Sequence, residues 1–194
     1  MKDEKKIPDL PTAEQLHTEL KRIQYNQDFE KTLWNTISSL IVIAAAALIV
    51  SMIFVPVLRV TGTSMAPTLS NDELILCIKN SNFQNGDIVA FYYNNKILLK
   101  RVIGVAGDKI DISEDGIVSR NGEQLQEPYV NELDAGECDI DLPYQVPDNR
   151  IFVMGDHRAV SIDSRSSAVG CIAEEYVIGK VFFRLWPWEK IGTV

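Results

Sequence analysis

The chain has 194 residues, and its 27 Asp and Glu against 19 Lys and Arg give a formal charge of -8. This acidic balance argues against nucleic-acid binding, because phosphate recognition needs a basic surface. Hydrophobic residues make up 46% and charged residues 24% of the chain. These values are close to ordinary globular usage and exclude wholesale disorder and fibrous repeats.

One apolar segment near the N-terminus sets the organisation of the chain. No charged residue lies between Lys31 and Arg59, and residues 40–57 read LIVIAAAALIVSMIFVPV. A helix of about 20 apolar residues crosses a bilayer core of about 30 Å. We therefore predict a transmembrane helix over roughly 34–56, in an anchor segment 34–57. A cleaved signal peptide is disfavoured, because its apolar region would span only about 7–15 residues.

The residues flanking the anchor predict its orientation. Within 20 residues of the apolar segment, three basic residues precede it, Lys21, Arg22 and Lys31, and one follows it, Arg59. Because cytoplasmic flanks carry the excess of Lys and Arg, we expect segment 1–33 to be cytoplasmic and the C-terminal domain to be exported. A capping-box pattern over 12–15 also predicts a helix leading into the span.

Beyond the anchor, residues 58–194 are predicted to form an antiparallel β domain, with two packed sheets. Short runs rich in branched and aromatic residues indicate strands, and Asn94-Asn95 and Asn121-Gly122 indicate hairpin turns. The polar stretch 113–147 is predicted to be a small insertion or cap whose acidic residues form a solvated face. The predicted strands are 74–78, 88–93, 97–103, 109–112, 117–118, 123–125, 151–154 and 177–186.

The cysteines give no indication of a metal or redox site. Cys77, Cys138 and Cys171 are widely spaced and form no C-x-x-C pair. The sequence leaves a Cys138–Cys171 disulfide open. No metal and no cofactor are predicted.

A serine and a lysine in the β domain are the candidate catalytic pair. Ser64 lies in a Gly- and Pro-bounded loop just after the anchor, and Lys100 lies in a predicted strand. Strand alternation places Lys100 on one face with Leu98 and Val102. Burial there can lower a lysine pKa by up to about 3–5 units, which makes a neutral amine available. Such an amine can activate a serine for acyl transfer without histidine.

A histidine-based site is the less favoured alternative. His17 lies on the other side of the predicted membrane, so His157 is the only histidine that can reach Ser64. A Ser64–His157–Asp163 triad is conceivable and ranks below the lysine.

Three ordered motifs together resemble those of bacterial type I signal peptidases. They are Ser64-Met-Ala-Pro-Thr-Leu69, Lys100-Arg-Val-Ile-Gly104 with Gly107-Asp108, and Gly155-Asp156 followed by Ser161-x-Asp163-Ser-Arg165. The single anchor is similar to that of the short Gram-positive-type members. The resemblance implies a mainly β fold with an antiparallel signal-peptidase/LexA-like core. It also implies a membrane-anchored serine endopeptidase that removes N-terminal signal peptides from exported preproteins.

The resemblance also implies residue roles. Ser64 would be the nucleophile, with its backbone N–H donating to the oxyanion, and Lys100 would be the general base. Ser161 would orient Lys100 through a hydrogen bond, and Gly62 lies where some members place an oxyanion-hole hydroxyl. That departure leaves backbone groups or the Thr61 and Thr63 hydroxyls for the oxyanion hole. The implied structural supports are Arg101, Asp163 and Arg165, and the pocket walls are Val60, Met65, Leu98 and Leu99.

The implied partners are the signal peptides of exported preproteins and the lipid bilayer. Substrate in this family binds as an added β-strand with small residues one and three positions before the scissile bond. Trp186 and Trp188 are candidates for contact with the membrane interface. The alternatives are a Ser/Lys processing peptidase of narrow substrate range, an inactive anchored β binding module, and a LexA-like self-cleaving switch, which the anchor disfavours. The oligomeric state stays open.

Overall fold

The computed structural model describes residues 13–79 and 82–194, except for the side chains of 50–54. The described part of the chain divides into two compact units, one up to residue 50 and the other from residue 51 onward. Thr12, the first residue of the predicted capping box, lies outside the described residues.

A single helix, α1, runs from Ala13 to Phe54. The predicted lead-in helix and the predicted span are therefore one continuous helix. It ends two residues before Pro56, because the residue preceding a proline is disfavoured in the helical region. Within Ala13–Ile49 the helix is long and apolar enough to cross a membrane, and its most apolar window is not buried in the protein.

The β domain confirms the predicted fold class. Every strand pair in the described residues is antiparallel. One sheet has the order β1-β2-β11-β3-β4-β9-β10, with β12 against β11, and the second has the order β7-β6-β5-β8. The strands are β1 (Val57–Arg59), β2 (Leu74–Ile78), β3 (Ile88–Tyr93), β4 (Lys96–Gly104), β5 (Lys109–Ile112), β6 (Val118–Arg120), β7 (Glu123–Gln124), β8 (Tyr144–Gln145), β9 (Arg150–Met154), β10 (Ile172–Ala173), β11 (Val177–Trp186) and β12 (Gly192–Thr193).

The hairpin turns and the longer strands lie where the sequence predicts them. Asn94, Asn95, Asn121 and Gly122 all have positive φ, as tight hairpin turns of the primed type require. The predicted cap 113–147 holds β6, β7 and β8, which form the second sheet with β5. Strands β1, β8, β10 and β12 were not predicted, because they have only two or three residues and, unlike the equally short β6 and β7, flank no Asn-Gly turn signal.

Strand β4 pairs with neighbouring strands over different lengths at its two edges, and this difference leaves room for the candidate site. One edge pairs with β3 from Lys96 to Arg101. The other edge pairs with β9 only from Arg101 onward. Among the residues that the structure describes, no strand pairs with the edge of β4 that faces away from β3 in the first half of this strand.

The cysteines are free thiols, so the Cys138–Cys171 disulfide that the sequence left open is not formed. Burial raises the pKa of Cys77 to about 12 and that of Cys171 to about 11. Raised pKa values keep both thiols protonated and unreactive at neutral pH.

Candidate active site

Ser64 lies in a turn within the long connection between β1 and β2, and two neighbouring side chains fix this turn to the core. Met65 and Leu69 are buried in the hydrophobic cluster under the turn, and the Leu69 N–H donates to the Met65 carbonyl at 2.9 Å. Gly62 enters the turn with φ +92°, a conformation that a side chain would strain. These contacts hold the backbone on both sides of Ser64 in a fixed conformation.

Lys100 meets this serine from β4. Its Nζ lies 2.8 Å from Ser64 Oγ, and the residue is only 3% exposed. Lys100 pairs across the sheet with Val89, which belongs to the same buried apolar cluster as Val102, with Leu98 packed against that cluster. The predicted dry strand face around the lysine is thus observed, and the two side chains are within hydrogen-bond reach.

Burial lowers the pKa of Lys100 from its ordinary value of 10.5 to about 8. The charges of Asp163 and Asp156 raise this pKa and that of Arg165 lowers it, but loss of solvation has the largest effect. In the part of the chain that the structure describes, Lys100 forms no ion pair. A substantial fraction of the amine is therefore neutral near pH 8.

Asp163 and Arg165 form the predicted pair close to the dyad. Arg165 donates from Nε to Asp163 Oδ1 at 2.8 Å and from Nη2 to Oδ2 at 2.9 Å, and both side chains are fully buried. Asp163 Oδ2 also accepts from the Gly155 N–H at 2.9 Å. The pair therefore fixes the backbone after β9 and largely balances its own charge beside the lysine.

The predicted hydrogen bond between Ser161 and Lys100 is not formed. Ser161 is buried, but its Oγ has no hydrogen-bond partner among the described residues. A Cβ at Gly155 would overlap the Ser161 hydroxyl and would lie 2.5 Å from the Ser64 carbonyl oxygen. Only glycine at position 155 therefore lets the Ser161 hydroxyl and the Ser64 carbonyl pack against this backbone. The Ser161 hydroxyl faces Gly155 and has no hydrogen-bond partner among the described residues.

Arg101, the other predicted support, joins the serine turn to the loop after β9. It donates from Nε and Nη2 to the two oxygens of Asp156 at 2.8 and 2.7 Å. Asp156 also accepts from the Thr68 hydroxyl at 2.5 Å. Because Thr68 belongs to the Ser64 turn, this contact fixes the turn relative to β4.

A second buried ion pair extends this support into the cap and was missed by sequence reasoning. Glu127 accepts from Arg158 Nη1 at 3.0 Å and from Nη2 at 2.5 Å, with side-chain exposures of 4% and 0%. Tyr129 donates its hydroxyl to Glu127 at 3.0 Å, and its ring centroid lies 3.9 Å from Arg101. The expectation that the acidic residues of the cap are all solvated is therefore wrong for Glu127.

The alternative histidine triad is not assembled. The His157 backbone N–H donates to the Ser64 carbonyl at 3.1 Å, but its imidazole makes no hydrogen bond to Ser64 Oγ or Asp163 among the described residues. The Asp163 oxygens are instead occupied by Arg165 and Gly155. Lys100 is thus the base candidate that the geometry supports.

The possible oxyanion donors differ in availability. The Gly62 N–H already donates to Asn71 Oδ1 at 2.9 Å, so Gly62 shapes the turn and offers no free donor. The Ser64 N–H has no acceptor in the described residues, and the Thr61 and Thr63 side chains are exposed. The Ser64 N–H is therefore free to donate to an oxyanion.

A groove of about 460 Å³ opens beside Ser64. It lies between the segment after β1 and the unpaired edge of β4. All four predicted pocket residues, Val60, Met65, Leu98 and Leu99, line it. Within the described ranges, no group of three or more His, Cys, Asp or Glu is placed to hold a metal.

An antiparallel β domain that places a serine hydroxyl against a buried, partly neutral lysine beside an open sheet edge is suited to Ser/Lys peptidase chemistry. The family model described as "Signal peptidase, peptidase S26" matches residues 33–186. The chain belongs to this family.

Two sequence relatives, from Staphylococcus aureus and Bacillus subtilis, agree with that membership. The chain is 35% identical to Signal peptidase IB of Staphylococcus aureus (strain N315), over 83% of this chain and 93% of that protein. It is 32% identical to Signal peptidase I U of Bacillus subtilis (strain 168), over 79% and 87%. A crystal structure of a signal peptidase I from Enterococcus faecalis V583 matches with 27% identity and a TM-score of 0.43, covering 51% of this chain and 96% of that one.

Proposed function

We propose that this protein cleaves the N-terminal signal peptides of exported preproteins, with Ser64 as nucleophile and Lys100 as general base. Family membership supports the activity. The observation that carries the residue assignment is the 2.8 Å contact between Lys100 Nζ and Ser64 Oγ, with the lysine 3% exposed.

The geometry supports a simple sequence of proton transfers. Neutral Lys100 accepts the Ser64 proton as Oγ attacks the scissile carbonyl, and the Ser64 N–H donates to the oxyanion. The resulting ammonium then gives its proton to the leaving amine, and an acyl-enzyme forms on Ser64. Lys100 next deprotonates a water that attacks the ester, and the proton finally returns to Ser64 Oγ.

The open edge of β4 supports binding of the substrate as an added strand. The Val102 N–H donates to the Asp87 carbonyl at 2.8 Å, so even-numbered residues of β4 face β3. Ile97 and Leu99 consequently direct their backbone N–H and C=O groups away from β3, toward the groove. A peptide there gains main-chain hydrogen bonds, while Val60, Met65 and neighbouring apolar side chains select small residues.

We extend the proposal to the location of the enzyme. Helix α1 would anchor the chain in a membrane, with the N-terminus cytoplasmic and the catalytic domain outside, as the basic flank favours. Trp186 and Trp188 are 44% and 72% exposed, and their rings pack edge to face at 5.8 Å. Their exposure is compatible with contact with lipid headgroups.

A buried lysine argues against the inactive binding module. Burying an amine without an ion pair is costly, and a purely structural domain gains nothing from it. Lys100 bears this cost while contacting the serine hydroxyl. A processing peptidase of narrow range is the second candidate, because it would use the same Ser64–Lys100 contact and the same groove.

The direct test is cleavage of a preprotein by the purified full chain in detergent. We expect one cut after a small residue, with another small residue two positions earlier, mapped by mass spectrometry of both products. A panel of unrelated preproteins separates a general signal peptidase from a narrow processing enzyme. Cutting at sites without small residues, or no cutting at all, would contradict the proposal.

Activity should rise with pH as Lys100 loses its proton. Because the pKa of Lys100 is lowered to about 8, kcat/KM is expected to fall about tenfold per pH unit below 8 and to level off above it. The measurement is a pH profile with two peptides that lack titratable side chains near the cut. A profile that is flat from pH 6 to 9 would exclude the lysine as the base.

A further inference from the structure

A second cavity of about 190 Å³ lies beside the nucleophile and is separate from the substrate groove. It is lined by Ala66, Pro67, Asn131, Glu132, Asp156 and His157. The groove and this second cavity share no lining residue.

The second cavity is close enough to Ser64 to meet the same substrate. The His157 N–H in its wall donates to the Ser64 carbonyl at 3.1 Å. Ala66 is two residues from Ser64, so their Cα atoms are at most about 7 Å apart. A polypeptide whose scissile carbonyl is at Ser64 reaches this distance with its second residue after the cut.

The charge in the second cavity is concentrated on one side chain. Both oxygens of Asp156 are engaged, by Arg101 and Thr68. Glu132, in contrast, makes no ion pair or hydrogen bond with any residue that the structure describes. It is exposed and lines the cavity. The His157 Nδ1 is buried with no partner in the same part of the chain. The wall thus offers one unbalanced carboxylate and one unused polar atom.

We propose that the second cavity receives the residues that follow the scissile bond, and that Glu132 makes it favour a basic over an acidic side chain at the second position. This inference rests on the proposed peptidase function and adds a specificity determinant to it. In the proposed function, the groove at β4 binds the substrate residues before the scissile bond. The separate cavity next to the Ser64 turn is then available to the residues that follow the bond. The negative charge of Glu132 attracts a basic side chain and repels an acidic one.

The test compares peptides that are identical up to the cut and carry Lys or Glu at the second position after it. We expect the wild-type kcat/KM ratio, Lys over Glu, to be about 3 to 10, as suits an exposed charge pair. Glu132→Gln should bring the ratio near 1, and Glu132→Lys should invert it. Added salt should reduce the wild-type ratio, because exposed charges are screened.

Two controls separate a local effect from the overall field of an acidic protein. Glu123→Gln removes the same charge from an exposed position in β7 and should leave the ratio unchanged. A second peptide pair carries Lys or Glu at a tail position distant from the cut and should show no preference.

A wild-type ratio near 1, or a ratio that Glu132→Gln and Glu132→Lys do not change, would overturn the inference. In either case cleavage of the peptides would leave the proposed function standing. If wild-type protein cuts no peptide of the set, including one with Gln at the tested position, the proposed function fails and this inference fails with it.

Discussion

Ser64→Ala and Lys100→Met are each expected to lower kcat/KM for a preprotein by at least about 10⁴-fold. Alanine removes the atom that forms the acyl-enzyme. Methionine is similar in length and fits the apolar surroundings of Lys100, but it cannot accept the Ser64 proton across the observed 2.8 Å contact. Single-turnover cleavage assays, with thermal unfolding as a check of folding, measure both losses.

The two residues should act as a unit. The double variant Ser64→Ala/Lys100→Met is therefore expected to be no less active than either single variant, because each alone already stops the reaction. Lys100→Arg should also be inactive, since a guanidinium stays protonated and cannot serve as a base. Lys109→Met, which removes an exposed strand lysine from β5, is the matched control and should retain wild-type activity.

Two outcomes would contradict the assignment of the dyad. One is a folded Lys100→Met protein that retains more than about one hundredth of the wild-type kcat/KM. The other is a double variant that loses much more activity than the weaker of the two single variants. Either result would mean that another group activates Ser64.

The position of the dyad could be predicted from sequence because its physical requirements are local. A lysine alternating with apolar residues in a strand indicates burial, and the structure places Lys100 opposite Val89 in a dry cluster. The glycine and proline around Ser64 indicate a loop, and Gly62 adopts φ +92° there. Ser64 and Lys100 are 36 residues apart, and a local sequence pattern does not show whether two such distant residues meet. The family resemblance supplied the expectation that they do.

The remaining features depend on contacts that no local pattern encodes. The unpaired edge of β4 follows from where β9 begins to pair, which is a property of the whole sheet. Glu127 lies among acidic residues that are mostly solvated, and only the folded chain shows that it faces Arg158. Ser161 was expected to bond Lys100, but its hydroxyl instead packs against Gly155 because the glycine leaves room there.

Glu127→Ala is expected to reduce the free energy of unfolding of the full chain by about 3–5 kcal/mol. The change leaves the guanidinium of Arg158 buried, at 0% side-chain exposure, without its carboxylate. Tyr129 loses its acceptor at the same time. Urea unfolding of the detergent-solubilised protein, followed by tryptophan fluorescence, measures the change.

Replacing both Glu127 and Arg158 tests whether the unpaired Arg158 charge causes the stability loss of Glu127→Ala. In Glu127→Met/Arg158→Leu no buried charge lacks a partner, so much of the lost stability should return. The recovery is reduced by the lost Arg158 Nε bond to the Gly155 carbonyl and by the Tyr129 hydroxyl, which still lacks its acceptor. Glu114→Ala, an exposed acidic residue of the same cap, should change stability by less than about 0.5 kcal/mol. A loss below about 1 kcal/mol in Glu127→Ala would show that solvent reaches Arg158, because only an unsolvated guanidinium carries the larger cost.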